Sequence, residues 1–502
     1  MKIFSISKAA FGILAIAAML APNSFAQMLP ASGLHGKRVL FVVGTSSATH
    51  PSDDALVKKH LESLGFSVTT ASETASTSKV AGEDLVVISS TANAHVLLSS
   101  YKDSRVPVFT WNNSDYPNLA MTGQRLHTDF DTVEPVQNFA RSFSVLYGYG
   151  ASATSPIAKA VGLTNQLFGT FYLMPATAGW GRPAPSATII TTFEGNPREA
   201  GLFTYEKGAS MADGYVAPAR RVGFFLSSDN FHLLTAAYGP AEHDPELRAW
   251  YIGLKLFDAA IRWAVSPPPT PKSYDPTALY AELAHAAKGK RLLFVERKDT
   301  PEGAEADTHM VARLRSVGFE VTIADQMDPQ PPAGAYDLVI LSATCSKYKL
   351  ANKYRDLAIP VLCLEGLFAD TLRLAGRDRY VDYGEHGEEK ESNDPPENYV
   401  DIVGSYNPMA AGLKPGLVQI LKEPGVIKWA TPSPGATVIA TLPNEQEVDA
   451  VFGSEKGATM AHGYLAPERR ALFPLDNPAF DDLTPQGLAL FDAAVLWTLN
   501  GN

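Results

Sequence analysis

GKRVLFVVG at residues 36–44 returns as GKRLLFVER at 289–297, and the same series follows each copy. LESLGFSVT (61–69) pairs with LRSVGFEVT (314–322), EDLVVISS (83–90) with YDLVILSA (336–343), and RVPVFTW (105–111) with AIPVLCL (358–364), all at a constant spacing of 253. Further on, EKGASMADGYVAPARR (206–221) repeats as EKGATMAHGYLAPERR (455–470), and LFDAAIRW (256–263) as LFDAAVLW (490–497). A short apolar run that follows two basic residues, with no alternation of polar side chains, is the pattern of a strand buried on both faces. Residues 39–43 meet that description. Residues 66–70, 85–89 and 106–111 continue the series, with helical stretches between them at 53–64 and 96–101. Strands that alternate with helices make a parallel, doubly wound sheet, with the strand order 2-1-3-4-5 expected. The chain is therefore read as α/β, two tandem flavodoxin-like domains at 36–265 and 289–502 joined by a linker at 266–288.

The second half of each copy differs in character. β-rich stretches at 187–193, 201–205 and 221–226, and at 436–442, 448–452 and 471–475, predict a β-rich extension that returns to the sheet. The closing helix, from about 250 in copy one and 485 in copy two, carries Leu, Phe, Ala and Trp on one face. Trp263 and Trp497 are thus core residues. Arg220-Arg221 and Arg469-Arg470 are expected to form structural salt bridges under their turns. The proline-rich run 266–276 predicts a stiff, extended linker. Residues 383–397 are acidic and proline-bearing, and predict a solvated loop without a counterpart in copy one.

Of 502 residues, 45% are hydrophobic and 19% charged, as in ordinary globular proteins, and the net charge is −11. There is no basic stripe with interleaved aromatics, so nucleic acid is not an expected partner. Residues 1–26 read as a signal peptide: Lys2 and Lys8 precede an apolar run at 11–21, and small residues lead to a cleavage site near Ala26. The mature chain is expected in the periplasm or outside the cell, with no membrane association after cleavage. Its two cysteines, Cys345 and Cys363, fall near the ends of neighbouring strands; a bridge and two buried thiols both remain open.

Ligands of open α/β sheets sit beyond the carboxyl ends of the strands. In copy one that rule selects Ser89, Ser90, Trp111, Asn112, Asn113 and Asp115, and in copy two Ser342, Thr344 and Glu365. The repeated block adds Asp213 and its replacement His462, if that turn faces the same rim. An aromatic face beside amides and a carboxylate suits a sugar. His386 with Glu385, Glu388 and Glu389 is a poor metal set, one imidazole among acids, and neither metal nor cofactor is called.

The series strand, helix ending in Gly-Phe, strand, D-L-V-[VI]-[IL]-S strand, then [VI]-P-V resembles the class I glutamine amidotransferase-like superfamily, and within it the trehalose-utilisation (ThuA-like) branch. That resemblance implies a nucleophilic cysteine on a tight elbow after the fourth strand, about where Asn112 and Glu365 stand. Cys363 comes two residues early, and Val361 and Glu365 occupy the positions where an elbow around it needs glycine. Glutamine hydrolysis is accordingly disfavoured. The expectations are an exported tandem protein that binds or processes carbohydrate or another small molecule; alternatively a non-catalytic scaffold; or a hydrolase using Cys363 or Glu365 in copy two alone. The two domains are expected to pack as a pseudo-dimer.

Overall fold

The structure, a computed structural model, describes residues 31–45, 53–133, 136–138, 141–148, 155–161, 171–173, 177–193, 196, 198–226, 231–235, 245–268, 272–298, 304–387, 394–433, 435–445, 447–476 and 479–500. The expected signal peptide, linker residues 269–271 and acidic residues 388–393 lie outside the described residues.

Each copy builds one sheet. The first holds β1 (Arg38–Val43), β2 (Ser67–Ser72), β3 (Leu85–Ile88), β4 (Val108–Thr110), β5 (Phe130–Val133), β6 (Val136–Asn138), β7 (Arg141–Gly148), β8 (Phe171–Leu173), β9 (Ala178–Gly181), β10 (Thr188–Phe193), β11 (Ala200–Tyr205) and β12 (Arg221–Gly223). The second holds β13 (Arg291–Glu296), β14 (Glu320–Asp325), β15 (Leu338–Leu341), β16 (Val361–Cys363), β17 (Tyr383–His386), β18 (Tyr399–Ile402), β19 (Gly416–Gln419), β20 (Ile427–Ala430), β21 (Ala436–Thr441), β22 (Asp449–Ser454) and β23 (Arg470–Leu472). Their spatial orders, β2-β1-β3-β4-β12-β11-β10-β7-β6 and β14-β13-β15-β16-β23-β22-β21-β18-β19, match from the first strand to the eighth; the outermost strand differs, since β6 precedes β7 in the chain whereas β19 follows β18. The first five strands of each order are parallel, as the sequence predicts, and the β-rich extension adds antiparallel strands at the far edge. Even the register repeats: Arg38 lies opposite Ser67, and Arg291 opposite Glu320.

The continuous apolar runs follow from burial on two faces. Val39 and Phe41 pack toward the helices Asp54–Ser63 and Pro245–Val265, while Leu40 and Val42 enter the core on the opposite face. Leu338 and Ile340 divide from Val339 and Leu341 in the same way. One hydrogen-bonded side-chain pair fastens the first helix to the closing helix in both copies. His60 Nε2 meets Asp258 at 2.6 Å, and Arg313 Nε meets Asp492 at 2.9 Å, the aspartates being those of the two LFDAA motifs.

The foot of each sheet is tied by arginines. Arg220 grips Glu206 bidentately, Nε at 2.7 Å and Nη2 at 2.9 Å, and Arg469 grips Glu455 at 2.7 and 2.8 Å. Each guanidinium also donates to the carbonyl of the closing-helix tryptophan, Trp263 or Trp497, and stacks 4.3 Å from its ring. The neighbouring Arg221 and Arg470, contrary to expectation, form no salt bridge among the described residues; they donate to backbone carbonyls, Arg221 to Ala219, Arg220, Lys102 and Ser104. Burial lowers the pKa of both to about 10, so each stays charged at neutral pH.

Three further sequence expectations need correction, and the first helix starts without a side-chain cap. The fourth strand, Val108–Thr110, is shorter than 106–111; Trp111 keeps one long bond to β3, its N–H to the Ile88 carbonyl at 3.4 Å, while its side chain enters the core. The segment 383–386 is no solvated loop. It forms β17, buried and antiparallel to β20, and its counterpart is β5 in copy one. Pairing with a neighbour outweighs the acidic composition that follows it. The first closing helix begins at Pro245, five residues earlier than expected. Asp53 does not cap the first helix; its carboxylate accepts from the His232 backbone N–H at 2.6 Å instead.

The copies touch through their extensions. The Ser210 N–H donates to the Val403 carbonyl (3.0 Å), Ser405 Oγ to the Gly208 carbonyl (2.8 Å) and the Tyr406 hydroxyl to the Ser186 carbonyl (3.1 Å).

Replacing Arg220 by Ala leaves Glu206 charged and unpaired in a site where the guanidinium is 3% exposed. Loss of one partner of a buried pair costs about 3–5 kcal/mol, and urea unfolding of the Arg220→Ala variant should show a loss of that size. A loss under about 1 kcal/mol would mean that the clamp contributes as little as an exposed pair does.

Candidate functional site

The carboxyl ends of the parallel strands are closed by the same three side chains in both copies. Asp54, in the first turn of its helix, accepts from Ser89 Oγ (2.6 Å) and Thr91 Oγ1 (2.8 Å). Asp307 accepts from Ser342 Oγ (2.7 Å) and Thr344 Oγ1 (2.9 Å). The threonine oxygens accept in turn from the Gly44 and Arg297 N–H groups, 3.0 and 3.1 Å away. Ser89, Ser342 and Thr344 are therefore engaged in joining strand to helix. Burial raises the Asp307 pKa, against the lowering effect of its two hydroxyl donors. Ser90 is half-buried, and its Oγ has no hydrogen-bond partner among the described residues.

After the fourth parallel strand, copy one turns inward. Trp111 is 2% exposed and packs against Phe41, Phe109 and Phe257, so it is a core residue and presents no stacking face for a sugar. Asn112 gives Nδ2 to the Ala92 carbonyl at 2.5 Å and its N–H to Thr110 Oγ1 at 3.0 Å. Asn113 gives Nδ2 to the Asp131 carbonyl at 2.8 Å. Asp115 is wholly buried; Oδ1 accepts from Asn118 at 2.9 Å, while Oδ2 has no partner among the described residues. Burial pushes its pKa up to about 7.

Copy two differs at these places. Glu365, 4% exposed, stands where copy one has Asn112. Its Oε1 accepts from the Leu367 N–H (2.9 Å) and its Oε2 from Lys428 Nζ (2.5 Å). The same ammonium reaches Asp476 Oδ1 at 3.1 Å. Burial raises the Glu365 pKa and the Lys428 charge opposes that rise. Lys428 keeps its proton, because its two carboxylate partners outweigh the effect of burial. Neither Lys428 nor Asp476 was selected from the sequence: they lie 63 and 111 residues from Glu365, beyond any local motif.

A steric exchange accompanies the change. Position 113 is Asn and 179 is Gly in copy one; the equivalent 366 is Gly and 428 is Lys in copy two. A Cβ on Gly179 would stand 3.1 Å from the Asn113 Cβ, and one on Gly366 would stand 2.7 Å from the Lys428 Cβ. Only one of the two positions can carry a side chain, and the copies made opposite choices.

Cys363 is fully buried; its Sγ donates to the Glu365 carbonyl at 3.2 Å, and burial drives its pKa far up. Cys345 is likewise buried and raised by burial, and both are free thiols. A thiol with so little thiolate is a poor nucleophile. Asp213 and His462 do not join the rim. β12 begins at Arg221 opposite Val108, and Tyr215 bonds Lys102 and Asp103 just ahead of β4, so the repeated turn sits at the amino end of the parallel strands. Both residues hold left-handed backbone there, φ 56° and 61°. His386 is buried within 3.7 Å of Asp394 and 3.4 Å of Glu445; Glu388 and Glu389 lie outside the described residues. No group of three metal-ligating side chains forms among the described residues.

No protein-family profile and no curated protein matches the chain in sequence. Among solved structures it is similar to a Thermoplasma acidophilum protein assigned as one component of a GMP synthase. That likeness spans 45% of this chain and 99% of the other, at 12% identity and a TM-score of 0.23, and concerns the α/β fold alone.

The Asp115 carboxyl is neutral in the folded chain until pH rises to about 7, whereas in the unfolded chain it ionises near its ordinary 3.8. Its contribution to stability is complete below about pH 4 and is lost as pH rises to about 7, a loss on the order of a few kcal/mol. Urea midpoints of wild type and Asp115→Asn should converge near about pH 4 and separate by about pH 7, with the wild type falling. Parallel profiles would show that Asp115 is already ionised in the folded protein.

Proposed function

We propose that this chain is an exported, non-catalytic scaffold or interaction protein of amidotransferase-like, ThuA-like ancestry. The observation that carries this reading is the closure of both strand-end rims by their own side chains. Where the resemblance calls for a nucleophile, Asn112 bonds the Ala92 carbonyl and Glu365 is locked to Lys428. The nearby Cys363 is buried and protonated. Export is supported by the basic and apolar pattern of residues 2–21.

A second reading, binding of a small charged carbohydrate such as a sugar acid, is favoured by one feature of copy two. The side chain of Asp476 is 33% exposed and leads directly to the Lys428–Glu365 pair. A ligand carboxylate that displaced Asp476 would inherit the ammonium.

A thermal-shift screen of the mature protein against sugars, sugar acids and divalent cations separates the two. The scaffold reading predicts no shift across the screen, since a ligand at about 100 times its Kd would add about 2.7 kcal/mol. A saturable shift with a sugar acid that vanishes in Lys428→Met would establish the second reading and overturn the first.

A further inference from the structure

The geometry points to the join between the copies as an internalised dimer interface in which the position on the pseudo-two-fold axis has been split into opposite charges, so that each copy fits the other and not itself. Residues 186–208 and 435–457 align without a gap at a spacing of 249, which makes Arg198 and Glu447 the same position of the repeat. These two residues meet: Arg198 Nη2 lies 3.6 Å from Glu447 Oε2. Contact between equivalent positions of two like units happens on a two-fold axis. Arg182 adds a second cation, its Nε 3.1 Å from Glu447 Oε1.

Two further observations single out position 447. Glu447 holds a left-handed backbone, φ 71°, where a residue with a Cβ is disfavoured, and its carbonyl accepts from Thr431 Oγ1. The strain is tolerated at a place where the side chain meets two cations. Close by, the interface is tight: a Cβ on Gly208, itself at φ 91°, would stand 3.4 Å from Ser405 Oγ, and Tyr406 packs on the core of copy one.

An arginine at 447 would set three cations together, and a glutamate at 198 would face its equivalent. Like charges at an axis oppose pairing, so the split disfavours self-association of either copy while the unlike pair is attracted. The surface is thus matched to one partner, the other copy of the same chain.

The Ser210 amide, bonded across the join to Val403, reports on that contact directly. Hydrogen exchange of the full mature chain is compared among wild type, Glu447→Arg and the exchanged pair Arg198→Glu/Glu447→Arg. Exposed pairs are individually weak, and exchange at Ser210 should quicken roughly threefold to tenfold in Glu447→Arg. It should return toward wild type in the exchanged pair, with the Val222 amide inside the first sheet unchanged throughout. Unchanged exchange at Ser210, equal quickening at Val222, or no recovery in the exchanged pair would each overturn the assignment.

Discussion

Each sheet depends on a guanidinium at its foot, buried in copy one and half-buried in copy two. Arg220 and Arg469 join three things that are distant in sequence: the glutamate that ends the last antiparallel strand, the strand that follows the turn, and the tryptophan carbonyl at the end of the closing helix. A planar, five-donor cation can bond a carboxylate bidentately, cap a carbonyl and stack on an indole at once, which an ammonium cannot do. With β12 and β23 fixed in this way beside β4 and β16, the extension has a parallel core to grow from, and the closing helix has a fixed end.

The duplication separates what the fold requires from what it tolerates. The clamp, the Asp-Ser-Thr anchor and the helix-to-helix side-chain pair occur in both copies, with only His60 exchanged for Arg313 in the last. The rim after the fourth parallel strand is where the copies part. Asn and Gly in one become Gly and Lys in the other, and the amide of Asn112 becomes the carboxylate of Glu365. Asn112, Asn113 and Glu365 are bonded to neighbouring groups of the chain, whereas Asp115 Oδ2 and Ser90 Oγ have no partner among the described residues.

The repeat makes the parallel core legible from sequence, because burial on two faces writes itself as unbroken apolar runs and helix ends as Gly-Phe. The arginine clamp is legible for the same reason: it sits inside a repeated block. The rim is not. Trp111 has the composition of a sugar platform, yet the sheet end it follows is packed by Phe41, Phe109 and Phe257, and local sequence carries no trace of that three-way contact. Lys428 pairs with Glu365 across 63 residues. Strand β17 is hidden by its charged residues, Glu385 and His386, although it pairs with β20 and puts Tyr383 into the core.

The central claim is that the strand-end rims are closed and that Cys363, at the end of the fourth parallel strand of copy two, is sealed in the core. Thiol titration of the mature native protein with an aromatic disulfide reagent at neutral pH tests this directly. The account predicts no reacting thiol in the folded chain and two after unfolding in urea. One thiol that reacts rapidly in the native protein, and is lost in Cys363→Ser, would contradict it.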